Sequence, residues 1–386
     1  MWLVDGMAAV RSLPHKENWG EYAKSFITFC TPSKDSNPLK LGIIFDCYTR
    51  SHVKQLTQLR RGTPGKRVYI SSSQQRMPSG KAWQMFLHNP ENKTELIHFL
   101  VEFMKENRNL LKVPTIVTEN EKSWLLIATD IIQLDDCNHI EADTRLILVA
   151  STADSPVIIR ATDTDVLILM VHVYTEMREH QWQMKIDRES YVNIGNICDN
   201  FGTDVCKALP AFHSMTGCDT VSFPFRIGKI KPLKKMIKVR ATGQISTFGC
   251  GRLTDEQMAS AKEFFRFIVY PGLKNENLTE TRVRMYQKQK VKASEGIIPD
   301  ESSVIQHLKR SWLQCFIWCQ CLEQQLNYPG IDDESGWIEV DGATIPVWYT
   351  CSQFPPDMKD LEEHETVNGK SRLSFLTLKR ICFLQA

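Results

Sequence analysis

Seven carboxylates stand in five short acidic motifs, each placed where a strand should end or a helix should begin. They are Asp5 in Leu-Val-Asp-Gly-Met, Asp46 in Gly-Ile-Ile-Phe-Asp, and Glu141 with Asp143 in His-Ile-Glu-Ala-Asp-Thr. Asp163 with Asp165 in Ala-Thr-Asp-Thr-Asp and Asp219 in Thr-Gly-Cys-Asp-Thr complete the set. Open parallel sheets gather ligands at the carboxyl ends of their strands. Several strands ending in carboxylate would therefore pool negative charge in one crevice. Such a pool repels itself unless cations fill it, and clustered oxygen donors suit Mg²⁺, Mn²⁺ or Ca²⁺. Asp163 and Asp165 are two residues apart, so on extended backbone both point to one side. Glu141 and Asp143 would diverge on a regular helix, so at least one belongs at the cap, where the helix dipole favours a carboxylate. Two cations ~3.5–4 Å apart would clamp the attacking and leaving oxygens of an in-line phosphoryl displacement. Taken singly, an Asp is more often a turn or cap residue than a ligand; the joint pattern reverses that weighting.

Alternating apolar segments must carry these residues. Trp2–Val4, Leu41–Phe45, Thr115–Val117, Leu125–Ala128 and Val157–Ile159 read as strands. Glu21–Cys30, Thr94–Asn107 and a segment starting at Ala142 read as helices, and periodicity leaves Val166–Val173 open between buried helix and strand. Strands interleaved with helices predict an α/β fold, a mostly parallel, doubly wound sheet with helices on both faces. Beyond about Arg240 the texture becomes helical. Thr254–Val269 and a long Ser302–Leu326 helix are expected there, with Lys274–Ser294 a loop or solvated helix. The organisation expected is a core over 1–240, a helical extension over 241–354 and a loosely ordered tail over 355–386.

Composition adds bounds rather than chemistry. A chain of 386 residues holds a full α/β core plus an extension. The formal net charge of +2 names no partner. Twelve cysteines without a Cys-x-x-Cys pair favour a reducing compartment, hence an intracellular setting in nucleus or cytoplasm. No apolar run approaches the ~20 residues needed to span a bilayer, so no membrane partner is expected. The first strand begins almost at Met1, which leads one to expect further sequence upstream.

The ordered series Val-Asp-Gly-Met, Ile-Phe-Asp, Glu-Ala-Asp, Thr-Asp-Thr-Asp and Thr-Gly-Cys-Asp resembles the PIN-like/flap-endonuclease domains of the 5′-nuclease superfamily. The likeness covers roughly the first 240 residues, and segments His139–Arg145 and Met215–Thr220 are similar in style to those of uncharacterised animal proteins. It implies phosphodiester hydrolysis of DNA or RNA with two ions, Mg²⁺ or Mn²⁺. Asp5, Asp46, Glu141 and Asp143 would surround the first, and Asp163, Asp165 and Asp219 would lie nearer the second. Arg226-Ile227-Gly228-Lys229-Ile230-Lys231, followed by Leu233-Lys234-Lys235-Met236, looks like the glycine-containing helical hairpin by which these nucleases grip duplex backbone. The family usually carries glycine where this chain has Arg226. On charge alone, Lys229, Lys231, Lys234 and Lys235 suit phosphate contacts, as do Arg60, Arg61, Lys66 and Arg67.

Two other readings stay open. Val157–Leu167 resembles the first motif of haloacid-dehalogenase-type phosphatases, with Asp163 as nucleophile, Asp165 as acid/base and one Mg²⁺. A nucleic-acid-binding relative without turnover would retain the same residues. Cys315, Cys319 and Cys321 read as core thiols rather than a zinc set, and His139 as a loop or cap histidine rather than a proton carrier.

Overall fold

Short apolar runs become the strands of one eight-stranded sheet in the order β5-β4-β3-β2-β1-β6-β7-β8. The computed structural model describes residues 1–32, 38–48, 65–187, 189–288, 296–332, 334–341 and 343–351. Arg60, Arg61 and the expected tail over 355–386 lie outside the described residues. The strands are β1 (Trp2–Asp5), β2 (Leu41–Ile44), β3 (Thr115–Glu119), β4 (Lys122–Leu126), β5 (Ile131–Leu134), β6 (Val157–Arg160), β7 (Trp182–Lys185) and β8 (Tyr191–Asn193). The central pairings β3-β2, β2-β1, β1-β6 and β6-β7 are parallel, and antiparallel β4, β5 and β8 finish the two edges. The protein is thus α/β with a mostly parallel central sheet. The chain order turns at β1, which lies between β2 and β6.

Helices α1 (Gly6–Ser12), α2 (Trp19–Cys30), α3 (Lys81–His88), α4 (Pro90–Glu106), α5 (Ala142–Ser151), α6 (Thr164–Tyr174) and α7 (Ile194–Phe201) accompany the sheet. Val166–Val173, ambiguous by periodicity, is helical. Asn18 starts α2 by accepting from Glu21 N at 2.9 Å. Asn89 caps α4 ahead of Pro90, which is tolerated there because an N1 residue needs no donor. On one side of the pleat Trp2, Val4, Leu41 and Ile43 join a core with Trp19, Tyr22, Phe26, Trp83, Phe86 and the Leu96, Ile97, Leu100, Val101 and Met104 stripe of α4. Trp83 stacks on Phe86 with ring centroids 5.4 Å apart, a contact of about 1 kcal/mol beyond area burial. Gly42 lets β2 lie close to β1, since a Cβ there would come within 2.4 Å of Leu3 Cδ2.

The chain divides into two units, Met1–Pro210 with Ile317–Tyr328, and Ala211–Phe316 with residues from Pro329 onward. The sequence expectation placed its boundaries at 240 and 354. The remaining helices are α8 (Thr203–Met215), α9 (Ile230–Val239), α10 (Asp255–Phe264), α11 (Leu278–Lys288) and α12 (Glu301–Cys319). Two expectations need correction. The helix expected to reach Leu326 ends at Cys319, after which Cys321 N and Glu323 N bond back to Trp318 O and Gln320 O in tight turns. The expected helical extension also carries an antiparallel hairpin, β9 (Trp337–Val340) with β10 (Ala343–Pro346). Polar residues between short β-branched runs hid that hairpin from a search for helical periodicity.

One buried arginine ties α5 to the hairpin turn between β3 and β4. Arg145 is 1% exposed. Its guanidinium donates to Asn120 O, to Glu121 O at 3.1 Å, to Lys122 O at 2.9 Å and to Ser123 Oγ at 2.9 Å. Burial holds its pKa below the ordinary arginine value. A planar fork satisfies diverging carbonyls in a way that a single ammonium cannot. Replacing Arg145 with Met is expected to lower unfolding stability by roughly 3 kcal/mol, and Arg145→Lys to recover only part of that, as read from urea midpoints. A shift below about 0.5 kcal/mol in Arg145→Met would show that the clamp is dispensable.

Candidate metal centre at the carboxyl edge of the sheet

Strand register brings three of the acidic motifs to one edge. Asp5 of β1 pairs with Ile44 of β2, and Val4 pairs with Arg160 of β6. Asp5, Asp46 and Asp163 therefore leave three adjacent parallel strands at their carboxyl ends. The helix that starts with the Glu141–Asp143 motif, α5, packs against β1, β2 and α6. Six of the seven predicted carboxylates, all but Asp219, thus belong to this part of the first unit.

Helix starts orient three of them. Asp5 Oδ1 accepts from Met7 N and Ala8 N, both at 2.9 Å, and so caps α1. Asp163 Oδ1 accepts from Asp165 N at 2.9 Å and caps α6. Asp163 and Asp165 consequently do not share an extended run, as the sequence reading had it. The chain has already turned into the helix, and Asp165 sits buried in its first turn. Asp46 acts at longer range, its Oδ1 accepting from Ala142 N at 2.8 Å at the start of α5. Glu141 occupies the N-cap position of that helix, yet its side chain makes no capping bond there. Glu141 and Asp143 are both buried, each 4% exposed. Asp46 has taken over the capping of α5.

The loop around Asp46 is fixed on both sides. Phe45 N donates to Thr118 Oγ1 at 2.8 Å, and Cys47 N donates to Ile140 O at 2.8 Å. Tyr48 donates its hydroxyl to Asp46 Oδ2 at 2.9 Å. Burial first, and then the charge of Asp46, raise the Tyr48 pKa well above its ordinary value, so the hydroxyl stays protonated and remains a donor. The approach to Glu141 is pinned by Ile317–Tyr328 of the same unit. Asn138 exchanges bonds with Leu326, its Nδ2 donating to Leu326 O at 2.8 Å and its Oδ1 accepting from Leu326 N at 2.6 Å. Ile140 N donates to the Tyr328 hydroxyl at 3.1 Å. His139 is buried and its Nε2 donates to Glu323 O at 2.7 Å. Burial pushes its pKa down to about 4, which keeps the imidazole neutral at pH 7.

Asp219 belongs to the second unit and is exposed. Its loop is closed by reciprocal backbone bonds between Cys218 and Val221, at 3.0 and 3.2 Å. Gly217 enters that loop at φ +101°, where a Cβ would meet Phe223 Cα at 2.8 Å, so only glycine fits without strain. Lys229 Nζ donates to Gly217 O at 2.5 Å and contacts His213. Lys235 donates to Phe267 O and lies 4.2 Å from that ring's centroid. These two lysines are bound into the unit, whereas Lys231 and Lys234 of α9 are exposed. Arg226 adopts φ +56°, the left-handed region that favours glycine. In the first unit Arg67 pairs with Glu95 at 2.9 Å and donates to Glu91 O at 2.8 Å, while Lys66 is exposed.

Among the described residues, the His, Cys, Asp or Glu group whose donor atoms all lie within 4.8 Å of one another is His98, Glu102 and Glu119. None of the three was predicted. His98 and Glu102 stand one helical turn apart on α4, a spacing legible in sequence, but Glu119 joins them only through the fold. Cys315 and Cys321 are buried and Cys319 half-buried. Cys315 donates to Phe248 O at 3.2 Å, and burial raises the Cys321 pKa to about 12.

Comparison of the whole chain with protein-family models, with curated proteins and with solved structures gives no match.

The Asp219 loop is also bracketed by a titratable group. His307 Nε2 faces Met215 O at 2.9 Å and so must donate, leaving Nδ1 to accept from Ser222 Oγ at 3.4 Å. Burial first, then the Arg310 charge, hold the His307 pKa down to about 4, against 6.5 for an ordinary histidine. Between these values the unfolded chain takes up a proton that the folded chain refuses. The contribution of His307 to stability is therefore complete above pH 6.5 and is lost as pH falls towards 4, by on the order of 3 kcal/mol. Urea midpoints measured from pH 7 to pH 4 should fall less steeply in His307→Gln than in the parent; parallel curves would refute the assignment.

Proposed function

We propose that the chain is a metal-dependent nuclease of the PIN-like/flap-endonuclease type, with a doubly wound core and two Mg²⁺ or Mn²⁺ ions held by carboxylates. The observation that carries this reading is the delivery of Asp5, Asp46, Glu141, Asp143, Asp163 and Asp165, from four separate chain segments, to the carboxyl edge of adjacent strands β1, β2 and β6. A strand order that turns at β1 puts its switch point beside Asp5, the place where open α/β sheets bind ligands.

The donor set fits hard divalent cations. It is all carboxylate oxygen, and each carboxylate offers about four lone-pair positions. Asp5 and Asp163 each commit Oδ1 to helix N–H groups, a use that orients the carboxylate and leaves its charge in place. Bound there, such ions would lower the pKa of a water and neutralise the leaving oxygen of a phosphodiester. The chain's own contribution is to hold the carboxylates at fixed angles before substrate arrives. Tyr48 and Ala142 N fix Asp46 from two directions. The N-termini of α1, α5 and α6 supply partial positive charge that offsets carboxylate repulsion. Exposed Lys231 and Lys234 suit phosphate oxygens of DNA or RNA, contacts that give affinity without sequence readout.

The test is cleavage of labelled single-stranded, duplex, flap and RNA substrates with Mg²⁺ or Mn²⁺, with chelator as control. Asp163→Asn/Asp165→Asn should lower the rate by about 10²-fold or more while leaving the protein folded, because Asn still caps a helix. Asp219→Asn is assayed separately, since that residue sits in the other unit. Folded parent that binds nucleic acid without cutting it under any of these conditions would replace the nuclease reading with a non-catalytic binder.

A further inference from the structure

The His98, Glu102 and Glu119 group is chemically unlike the carboxylate edge. We propose that it is a binding site for a divalent transition-metal ion, Zn²⁺ before others, which would fasten α4 to the end of β3. This inference does not rest on the nuclease reading.

Three observations build the site. His98 and Glu102 are four residues apart on α4, so they stand on one helix face. Glu119 closes β3, the strand against which α4 packs. The donor atoms of all three lie within 4.8 Å of one another, and His98 Nδ1 is 2.9 Å from Glu119 Oε1. Glu119 is largely covered, its side chain 15% exposed, while His98 is 60% exposed. The group is anchored on the protein side and open on the other, where water can complete a coordination sphere.

The imidazole nitrogen decides the class of ion. Mg²⁺ and Ca²⁺ prefer oxygen donors throughout, whereas one nitrogen with two carboxylates suits Zn²⁺, with water as fourth ligand. Tetrahedral ligands about 2.0–2.2 Å from Zn²⁺ sit roughly 3.3–3.6 Å from one another, so His98 Nδ1 and Glu119 Oε1, 2.9 Å apart, must part slightly to admit the ion between them. Glu102 is the flexible member, its side chain being 44% exposed. Lys105 Nζ bonds Glu102 Oε1 at 2.8 Å while lying 3.5 Å from the centroid of the Trp124 ring. That ammonium offsets the two carboxylates without an ion and keeps its seat on Trp124 when Glu102 turns. The plainer account is a pair of surface ion pairs, His98 with Glu119 and Lys105 with Glu102, usually worth 0–1 kcal/mol. It predicts no response to Zn²⁺.

The experiment strips the full chain with chelator and dialyses it into excess Mg²⁺, which occupies oxygen-only sites. It then titrates Zn²⁺ by calorimetry and Co²⁺ by visible absorption. The parent should take up one equivalent that is absent in His98→Ala and at least tenfold weaker in Glu119→Gln. The same equivalent should persist in Asp163→Asn/Asp165→Asn, so failure here and failure of the nuclease reading are separately visible. The metal-free melting curve of His98→Ala should match the parent, since His98 is a surface residue. No uptake by the parent, uptake unchanged in His98→Ala, or loss of the equivalent in the Asp163/Asp165 variant would each overturn the assignment.

Discussion

Unsatisfied N–H groups at helix starts are the constraint on which the carboxyl edge depends. Three helices begin beside three neighbouring strands, and each donates backbone N–H to a motif carboxylate: α1 to Asp5, α5 to Asp46 and α6 to Asp163. Each such cap contributes about 1 kcal/mol. The same partial positive charge makes it tolerable to gather acidic side chains that would otherwise repel one another. The fold therefore needs these oxygens where they are, whatever else they bind. Substituting Ala at Asp5 or Asp163 would confound folding with chemistry, and Asn, which caps about as well as Asp, separates the two.

The capping arrangement also explains what could be read from the sequence. Apolar runs ending in Asp marked β1, β2 and β6, because a strand and the carboxylate that ends it are local. The helix after Asp5 went unread, and periodicity leaves Val166–Val173 after Asp163 open between helix and strand. The expected i, i+2 geometry for Asp163 and Asp165 failed because a residue good enough to cap a helix ends the extended run. Nothing local indicated that Asp46 would cap α5, since its partner Ala142 lies 96 residues along the chain. Nor did Arg145 stand out, although its position in His-Ile-Glu-Ala-Asp-Thr-Arg is now explained by the four oxygens it collects from the β3–β4 turn. The return of Gln320–Tyr328 to brace residues 135–140 was invisible as well, because a long helical pattern was extended through it.

In the second unit charge alone does not distinguish the lysines of the basic stretch. Four lysines of one basic stretch were grouped as phosphate contacts, but their surroundings divide them. Lys229 and Lys235 spend their ammonium groups on carbonyl oxygens of Gly217 and Phe267. Burial, with Arg266 nearby, lowers the Lys235 pKa. Lys231 and Lys234 face solvent. A stretch written as uniformly basic is thus half structural, and Lys229 holds the backbone that leads to Asp219. Arg226 marks the same region from the backbone side. Its φ of +56° is one that glycine adopts freely and an L-residue adopts at a cost of about 1 kcal/mol. The turn holds a conformation suited to glycine at a position filled by arginine.

The two sets of donors divide by hardness. Along the sheet edge every predicted ligand is a carboxylate, several are buried, and those that cap helices are oriented by backbone N–H groups. On α4 and β3 an exposed imidazole joins two glutamates, oriented by Lys105 and by one another. Carboxylates alone discriminate weakly between Mg²⁺ and Mn²⁺, and their selection depends on geometry and supply. An imidazole shifts preference away from Mg²⁺ and towards Zn²⁺ and its transition-metal neighbours. Because β3 neighbours β2 in the sheet, an ion clasping Glu119 would restrain the same strand that offers Thr118 to Phe45 N. Phe45 precedes Asp46. Thr118 and Phe45 are thus the two residues that separate Glu119 from Asp46 along this hydrogen-bonded path.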